Sequence, residues 1–316
     1  MRRVALIYNP ASGQHSPRRT AFIREALAEL HNAGIEAEAF QTTHPGAATE
    51  HARTAIDSGF DTILACGGDG TVHEIVQCLV GTTVALGVVP LGTANALAQN
   101  LGLGNDPVKA IRLLLSASPT LIPVGRITYQ DNAGATRSRS FIVAAGIGAD
   151  ALLMAQLDSG LKRRFGYLIY LIQAVHVWAT YPFHRFQATF TIQGNAEPHV
   201  QQVAQLLAIR IRSFGGALRH FAPGATLHSP RLRLMAFRTQ NRLRYLSFLL
   251  AALFGRHTFT RKIDLLDADR VECQLLNGGA ETILVEADGE LLGSLPVTLE
   301  VGPESLCLLI PKDAQP

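Results

Sequence analysis

The chain has 316 residues, enough for about two domains with cores of their own, so neither a disulfide framework nor a structural metal is needed to hold it together. Hydrophobic residues make up 47% and charged residues 17%, which excludes a disordered acidic tail and a coiled coil. The formal charge of +3, from 28 basic and 25 acidic side chains, argues against a dedicated nucleic-acid binder, whose domain would be strongly basic. In chain order, residues 4–8 (VALIY) read as a strand ended by Asn9-Pro10. A helix is expected over 17–33, where Phe22, Ile23, Ala26, Leu27 and Leu30 recur at helical spacing and Gly34 stops it. A strand over 35–40, a helix over 46–58, a strand over 62–66, a helix over 71–80 and a strand over 84–89 follow. This alternation predicts an N-terminal α/β nucleotide-binding domain, a parallel sheet with crossover helices, over residues 1–124.

Beyond residue 124 strands follow one another: around Ile127, then 141–145, 186–192, 203–211, 231–237, 271–276, 283–287, 297–301 and 306–310. Such a run predicts a C-terminal antiparallel β-sandwich domain over 125–316, with helical insertions over 150–178 and 242–254. Cys66, Cys78, Cys273 and Cys307 have no metal-ligand spacing and read as reduced thiols. The N-terminus has too few apolar residues before Asn9 for a signal peptide, and neither apolar insertion offers an uninterrupted membrane span. The expected location is cytoplasmic.

Chemistry concentrates in three turns that each follow a strand. Residues 66–74 read Cys-Gly-Gly-Asp-Gly-Thr-Val-His-Glu. Glycines opening a helix let backbone N–H groups close around a phosphate at the positive end of the helix dipole, and Asp69 stands where phosphate-bound Mg²⁺ needs a hard oxygen. A tight turn with Thr71 near the cap is the bland alternative. Residues 90–95, Pro-Leu-Gly-Thr-Ala-Asn, form a second such turn, in which Thr93 and Asn95 can donate to phosphate or ribose oxygens. Residues 9–13, Asn-Pro-Ala-Ser-Gly, form a third on the same sheet edge, where ligands of open α/β sheets bind. No G-x-x-x-x-G-K-[ST] is present, and the four lysines, Lys109, Lys162, Lys262 and Lys312, stand beside no glycine-rich turn, so backbone amides must hold the phosphates. Near the C-terminus, Asp288-Gly289-Glu290 can be a solvated hairpin turn or a carboxylate pair for proton transfer.

Asn-Pro-x-Ser-Gly, Gly-Gly-Asp-Gly-Thr-x-x-Glu and Pro-Leu-Gly-Thr-x-Asn, in this order, resemble the diacylglycerol kinase catalytic superfamily, in particular its bacterial soluble lipid kinases. The likeness spans nearly the whole chain through Gly146-Ile147-Gly148-Ala149-Asp150-Ala151 and Asp288-Gly289-Glu290; the Gly-Gly-Asp-Gly turn alone is shared with NAD kinases. The resemblance implies ATP- and Mg²⁺-dependent phosphorylation of a lipid hydroxyl, diacylglycerol-like or sphingoid, in a cleft between the two domains. It assigns nucleotide contacts to Asn9, Pro10, Ala11, Ser12, Gly13, Gly67, Gly68, Asp69, Gly70, Thr71, Val72, His73 and Thr93. It extends to Thr42, whose hydroxyl, like that of Thr43, can instead cap the next helix. Glu290 is the expected proton acceptor with Asp288 the competitor, and Asp69 completes the catalytic set.

The chain departs from the family pattern at Ala96, where an Asp is usual. It departs again at residues 223–233, where Pro-Gly-Ala-Thr-Leu-His-Ser-Pro-Arg-Leu-Arg carries no carboxylate, so a second, structural Mg²⁺ site is expected to be absent. Residues 146–151 fit a dinucleotide fingerprint without the acidic residue about 20 positions on and read as a turn shaping the lipid site. The rival readings are an NAD kinase and a non-catalytic nucleotide or lipid sensor. Charge is unevenly spread, −2 over 1–125, +14 over 126–262 and −9 over 263–316. The basic middle holds Lys162, Arg163 and Arg164 beside the first apolar insertion, which predicts attraction to an anionic membrane surface unless the acidic end neutralises it.

Overall fold

The computed structural model describes residues 1–10, 12, 16–131, 133–156, 167–194, 197–214, 221–253, 263–276, 281–312 and 314. It divides into a first unit, Met1–Pro123 with Pro303–Pro316, and a second, Val124–Gly302. In the first unit β1 (Arg3–Tyr8), β2 (Glu36–Gln41), β3 (Thr62–Gly67) and β4 (Ala85–Pro90) pair in parallel in the order β2-β1-β3-β4. Every residue of β3 and β4 is buried, as in parallel strands covered by crossovers. The crossovers are α1 (Ser16–Asn32), α2 (Ala47–Asp57) and α3 (Asp69–Leu79). Helix α1 buries Phe22, Ile23, Ala26 and Leu30, four of the five residues on its expected apolar stripe. Two short helices, α4 (Ala96–Asn100) and α5 (Pro107–Leu115), follow β4. Helix α5 is not among the expected elements, yet it starts with a proline at its first turn after an Asp106 cap, which accepts the Val108 and Lys109 N–H groups at 3.0 and 3.2 Å.

The second unit takes in most of β5 (Ser118–Gln130) and then β6 (Thr136–Phe141), β7 (Ala144–Ile147), α6 (Ala149–Gln156), α7 (Tyr167–Thr180), β8 (Phe186–Thr191), β9 (His199–Val203) and β10 (Gln205–Ile209). It continues through β11 (Leu232–Phe237), α8 (Arg242–Leu253), β12 (Ile263–Ala268), β13 (Arg270–Leu275), β14 (Leu284–Ala287), β15 (Glu290–Ser294) and the start of β16 (Val297–Ile310). One antiparallel sheet runs β12-β11-β10-β7-β14-β15 and another contains β16-β13-β8-β9. Inward residues of both, among them Ile147, Leu206, Val285, Phe186, Val271 and Leu299, join one buried cluster, so the unit is a β-sandwich.

Strand β16 is a single element where two strands are expected. Its first residues pair antiparallel with β13, Val297 opposite Cys273, and its last part pairs parallel with β4, Leu308 opposite Leu86. Pro303, with no N–H to offer a ladder, lies between the two pairings. Residues 303–316 therefore belong to the first unit, whereas the sequence reading places all of 125–316 in one domain. Part of the uneven charge is met within the second unit: Arg233 pairs with Asp267 at 3.0 Å and Arg238 with Asp264 at 3.0 Å, Arg231 with Asp269 at 3.4 Å, and Arg126 with Glu300 at 2.6 Å.

Candidate active site

Because β1, β3 and β4 are parallel, the segments that follow them emerge at one sheet edge. Asn9 N–H donates to Cys66 O at 3.2 Å, Thr42 N–H to Tyr8 O at 2.9 Å and Leu91 N–H to Gly67 O at 2.9 Å, so the three glycine-bearing turns and the Thr42 segment are joined backbone to backbone. Two of the turns also touch: a Cβ on Gly92 would lie 2.5 Å from Gly68 Cα and 2.8 Å from Asn95 Oδ1, a contact only glycine permits. Helix α3 starts at Asp69 with extended Gly68 as its N-cap, and its first-turn amides have no partners within the helix. Gly70 sits in that turn, exposed, with no described atom beyond its own helical turn within 4 Å of where a Cβ would be. The fold does not demand glycine at 70, and glycine in a helix costs about 0.5–1 kcal/mol relative to alanine. Without a side chain there, a phosphate can approach the first-turn amides of α3 closely.

The remaining nucleotide candidates divide by burial. Asp69 is half-buried, and its Oδ1 accepts Ala96 N–H at 2.7 Å, carrying the start of α4. One carboxylate is enough for Mg²⁺ that arrives with a nucleotide, since that ion keeps waters and phosphate oxygens as its other ligands. Asn95 (φ 50°) has both ends of its amide engaged by Gly92, accepting its N–H at 2.8 Å and donating to its carbonyl at 3.0 Å, so it builds the turn, while Thr93 is exposed at the tip. Thr71, Val72 and His73 are buried on the inner side of α3, and Thr42 is buried as well. Helix α2 has Gly46 as its N-cap and no side-chain cap, so neither Thr42 nor Thr43 takes that role; Glu74 of α3 instead accepts Gly46 N–H at 3.3 Å. Asn9, Pro10 and Ser12 lie in the first turn, with Ser12 N–H donating to Asn9 O at 3.2 Å. Ala11 and Gly13 lie outside the described residues.

In the second unit β14 and β15 form a hairpin whose turn residues Asp288 (φ 49°) and Gly289 (φ 87°) are both left-handed, as a two-residue Asp-Gly turn favours. The Asp288 carboxylate is not given over to solvent. Its Oδ2 accepts Ile142 N–H at 2.9 Å, and its Oδ1 accepts Val143 N–H at 2.9 Å and Ala144 N–H at 3.0 Å. Three backbone amides make Asp288 a strut between the turn and the start of β7, and they compete for the lone pairs a base would use. Glu290, the first residue of β15, is half-buried.

Sequence reasoning overlooked Glu286. It is 3% exposed, its Oε2 accepts Gly289 N–H at 2.8 Å, and its carboxyl is hydrogen-bonded to that of Asp150 in the first turn of α6. Burial, reinforced for Glu286 by the neighbouring carboxyls, pushes both above the ordinary carboxylate range. Residues 136 positions apart in the chain meet here, which no local spacing could announce.

The segment without carboxylates is held by a different cation. Arg210, 1% exposed, donates through Nη1 to Ser229 O and Arg231 O, both at 2.9 Å, and through Nη2 to Leu227 O at 3.1 Å. Burial lowers its guanidinium to about 10. These carbonyls are therefore already bonded, residues 223–233 contribute no carboxylate of their own, and the nearby Asp267 and Asp269 are paired with Arg233 and Arg231. The helical insertions are partly core: Phe248 of α8 is buried among Phe237, Met235 and Ala222, and Trp178 Nε1–H donates to Arg242 O at 2.8 Å. Ile172, Val175 and Leu243 are exposed. Lys162, Arg163 and Arg164 lie outside the described residues, and no described helix is long and apolar enough to cross a membrane.

Residues 3–127 match the diacylglycerol kinase catalytic domain family, and residues 142–310 match the YegS C-terminal NAD kinase beta sandwich-like domain. A diacylglycerol kinase of Bacillus subtilis (strain 168) is 29% identical over 299 residues, covering 94% of this chain and 92% of its own. One of Staphylococcus epidermidis (strain RP62A) is 26% identical over 323 residues, covering 99% and 93%. Among solved structures, a diacylglycerol kinase from Bacillus anthracis str. Sterne gives a TM-score of 0.73 at 20% identity over 98% of this chain and 96% of that one. Yeast NADH kinase complexed with NADH gives 0.50 at 11% identity over 98% and 83%. The two structural likenesses bear on the fold.

Proposed function

We propose that this chain, which belongs to the diacylglycerol kinase catalytic superfamily, transfers the γ-phosphoryl group of ATP to a hydroxyl of a diacylglycerol-like or sphingoid lipid. The observation that carries the reading is Gly70: a glycine in the first turn of α3 whose missing side chain no described residue beyond that turn crowds, beside turns joined at one sheet edge. There the first-turn amides of α3 and its dipole hold the phosphates, with Asp69 facing the nucleotide's Mg²⁺. When bound, that ion neutralises phosphate charge. The acceptor oxygen attacks the γ-phosphorus as the bond to the β–γ bridging oxygen breaks and ADP leaves. Glu290 takes the hydroxyl proton, and Asp288 keeps the turn in place.

Incubation of the full chain with labelled ATP, Mg²⁺, a panel of diacylglycerols and sphingoid bases, and NAD tests the proposal. Label is expected in a lipid; label in NAD alone, or in nothing, overturns it. Glu290→Gln is expected to lower turnover about 100-fold or more while nucleotide affinity persists. Undiminished turnover would remove Glu290 from the reaction.

A further inference from the structure

The carboxyl pair beneath the Asp288-Gly289 turn, buried Glu286 with half-buried Asp150, is not explained by the transfer itself. Glu286 stands directly opposite Gly146 in the pairing of β14 with β7. A Cβ on Gly146 would collide with Asp150 Oδ2 and lie 2.9 Å from Glu286 Oε1, so the missing side chain at 146 is the space the two carboxyls occupy. From there Glu286 Oε2 reaches Gly289 N–H at 2.8 Å, one residue before Glu290. The turn is thus gripped from two sides, by three amides on Asp288 and by Glu286 on Gly289.

We propose that Asp150 and Glu286 are positioning residues that share one proton and, through the Gly289 N–H bond, hold the turn that presents Glu290 to the acceptor hydroxyl. The inference rests on the reading of Glu290 as the base. A singly protonated pair is bridged by one O–H···O⁻ bond, and buried carboxyls this close cannot both be ionised cheaply. Among the described side chains, the titratable groups acting on or beside the pair are the Tyr245 phenol from α8 and Asp288 in the turn, with the Tyr181 phenol close to Gly148 on the same segment; Gln205 of β10 is the polar neighbour of Tyr245. They bring no positive charge to relieve a second ionisation. Loss of the shared proton at alkaline pH therefore sets two anions against each other under Gly289 and loosens the turn.

The test uses Glu286→Gln, Asp150→Asn and Glu286→Ala in the full chain. Either amide keeps one donor and one acceptor in the pair, so both conservative variants are expected to keep kcat near the parent value at neutral pH. Glu286→Ala is expected to lose about 100-fold in kcat, the scale of a misplaced catalytic group, with the KM for ATP unchanged. In the pH profile the parent's kcat falls on the alkaline side and that of Glu286→Gln does not fall with it. Identical alkaline limbs in the parent and Glu286→Gln, or full kcat in Glu286→Ala, overturn the proposal.

A second measurement needs no substrate. Both carboxyls bind their protons more tightly folded than unfolded, so their contribution to stability is complete below the unfolded carboxyl range and is lost as pH rises through the pair's raised values. Glu286→Gln is expected to flatten that slope and to keep slow exchange of the Gly289 amide. An unchanged slope counts against the shared proton, even if no lipid is phosphorylated and the kinase reading itself has failed.

Discussion

Asp288→Asn separates the strut from the base. Asparagine accepts the left-handed backbone as readily as aspartate, so the φ of 49° adds no strain and the change is confined to the carboxylate. One amide oxygen can keep the Val143 and Ala144 N–H groups, but the –NH₂ then faces Ile142 N–H, donor against donor. An amide left without an acceptor costs about 1–3 kcal/mol, and two charge-assisted bonds become neutral ones. The total is about 2–4 kcal/mol. The second unit spans Val124–Gly302, and for a unit of that size each kcal/mol moves Tm by about 2–4 °C, so a fall of about 5–15 °C is expected. Differential scanning calorimetry beside turnover measured well below Tm checks it: Asp288→Asn should lose stability and a smaller part of its rate, while Glu290→Gln should lose its rate with Tm unchanged. An Asp288→Asn protein with parental Tm and turnover as low as that of Glu290→Gln would refute the strut and make Asp288 the base.

Gly70→Ala adds a methyl group in open space and should leave stability unchanged or raise it by about 0.5–1 kcal/mol, while lowering ATP affinity at least about tenfold by calorimetric titration; unchanged affinity would place the phosphates elsewhere. Gly92→Ala, by contrast, forces its methyl against Gly68 Cα and should cost about 1–3 kcal/mol of stability as well as nucleotide affinity, so a thermal scan with parental Tm would contradict the packing of the two turns. Arg210→Met strands the carbonyls of Leu227, Ser229 and Arg231 and should cost about 3–5 kcal/mol in a denaturant titration. In the parent chain EDTA should not move Tm in the absence of nucleotide, and a drop that Mg²⁺ restores would show a divalent ion supporting the fold.

Much of the first unit is legible in the sequence because its strands are buried runs and its helices carry their own stripes; β3 and β4 contain no exposed residue. Helix α5 escapes a reading based on apolar spacing alone, although Asp106-Pro107 announces its start. The second unit is harder. Its short strands alternate weakly, so the strand expected over 203–211 covers β10 and misses β9, while β12 and β15 are passed over and β16 reads as two strands where it is one that changes partner. The Asp288 turn reads as a reactive pair with a solvated hairpin as the alternative, and in space it is a left-handed Asp-Gly hairpin whose carboxylate is bound by backbone. Asp150 reads as part of a glycine turn and Glu286 as one more strand residue. Only the pairing of β14 with β7 and the empty side of Gly146 bring them together. Nor does the sequence show that arginines of the +14 segment and aspartates of the −9 segment meet where β11 and β12 lie side by side, as Arg233 with Asp267 and Arg238 with Asp264 do.

Strand β16 also sets a timetable. A ribosome releases residues 1–123 about 180 residues before it reaches Pro303, which at about 5–20 residues per second is roughly 10–35 s. Through that interval the first unit lacks the strand that pairs with β4, and a fully apolar strand is left with an open edge of the kind that recruits other chains. The second unit, continuous in sequence, has every strand it needs by Gly302. The first unit is thus begun before the second and completed after it, and its solubility during synthesis depends on the last part of β16 arriving.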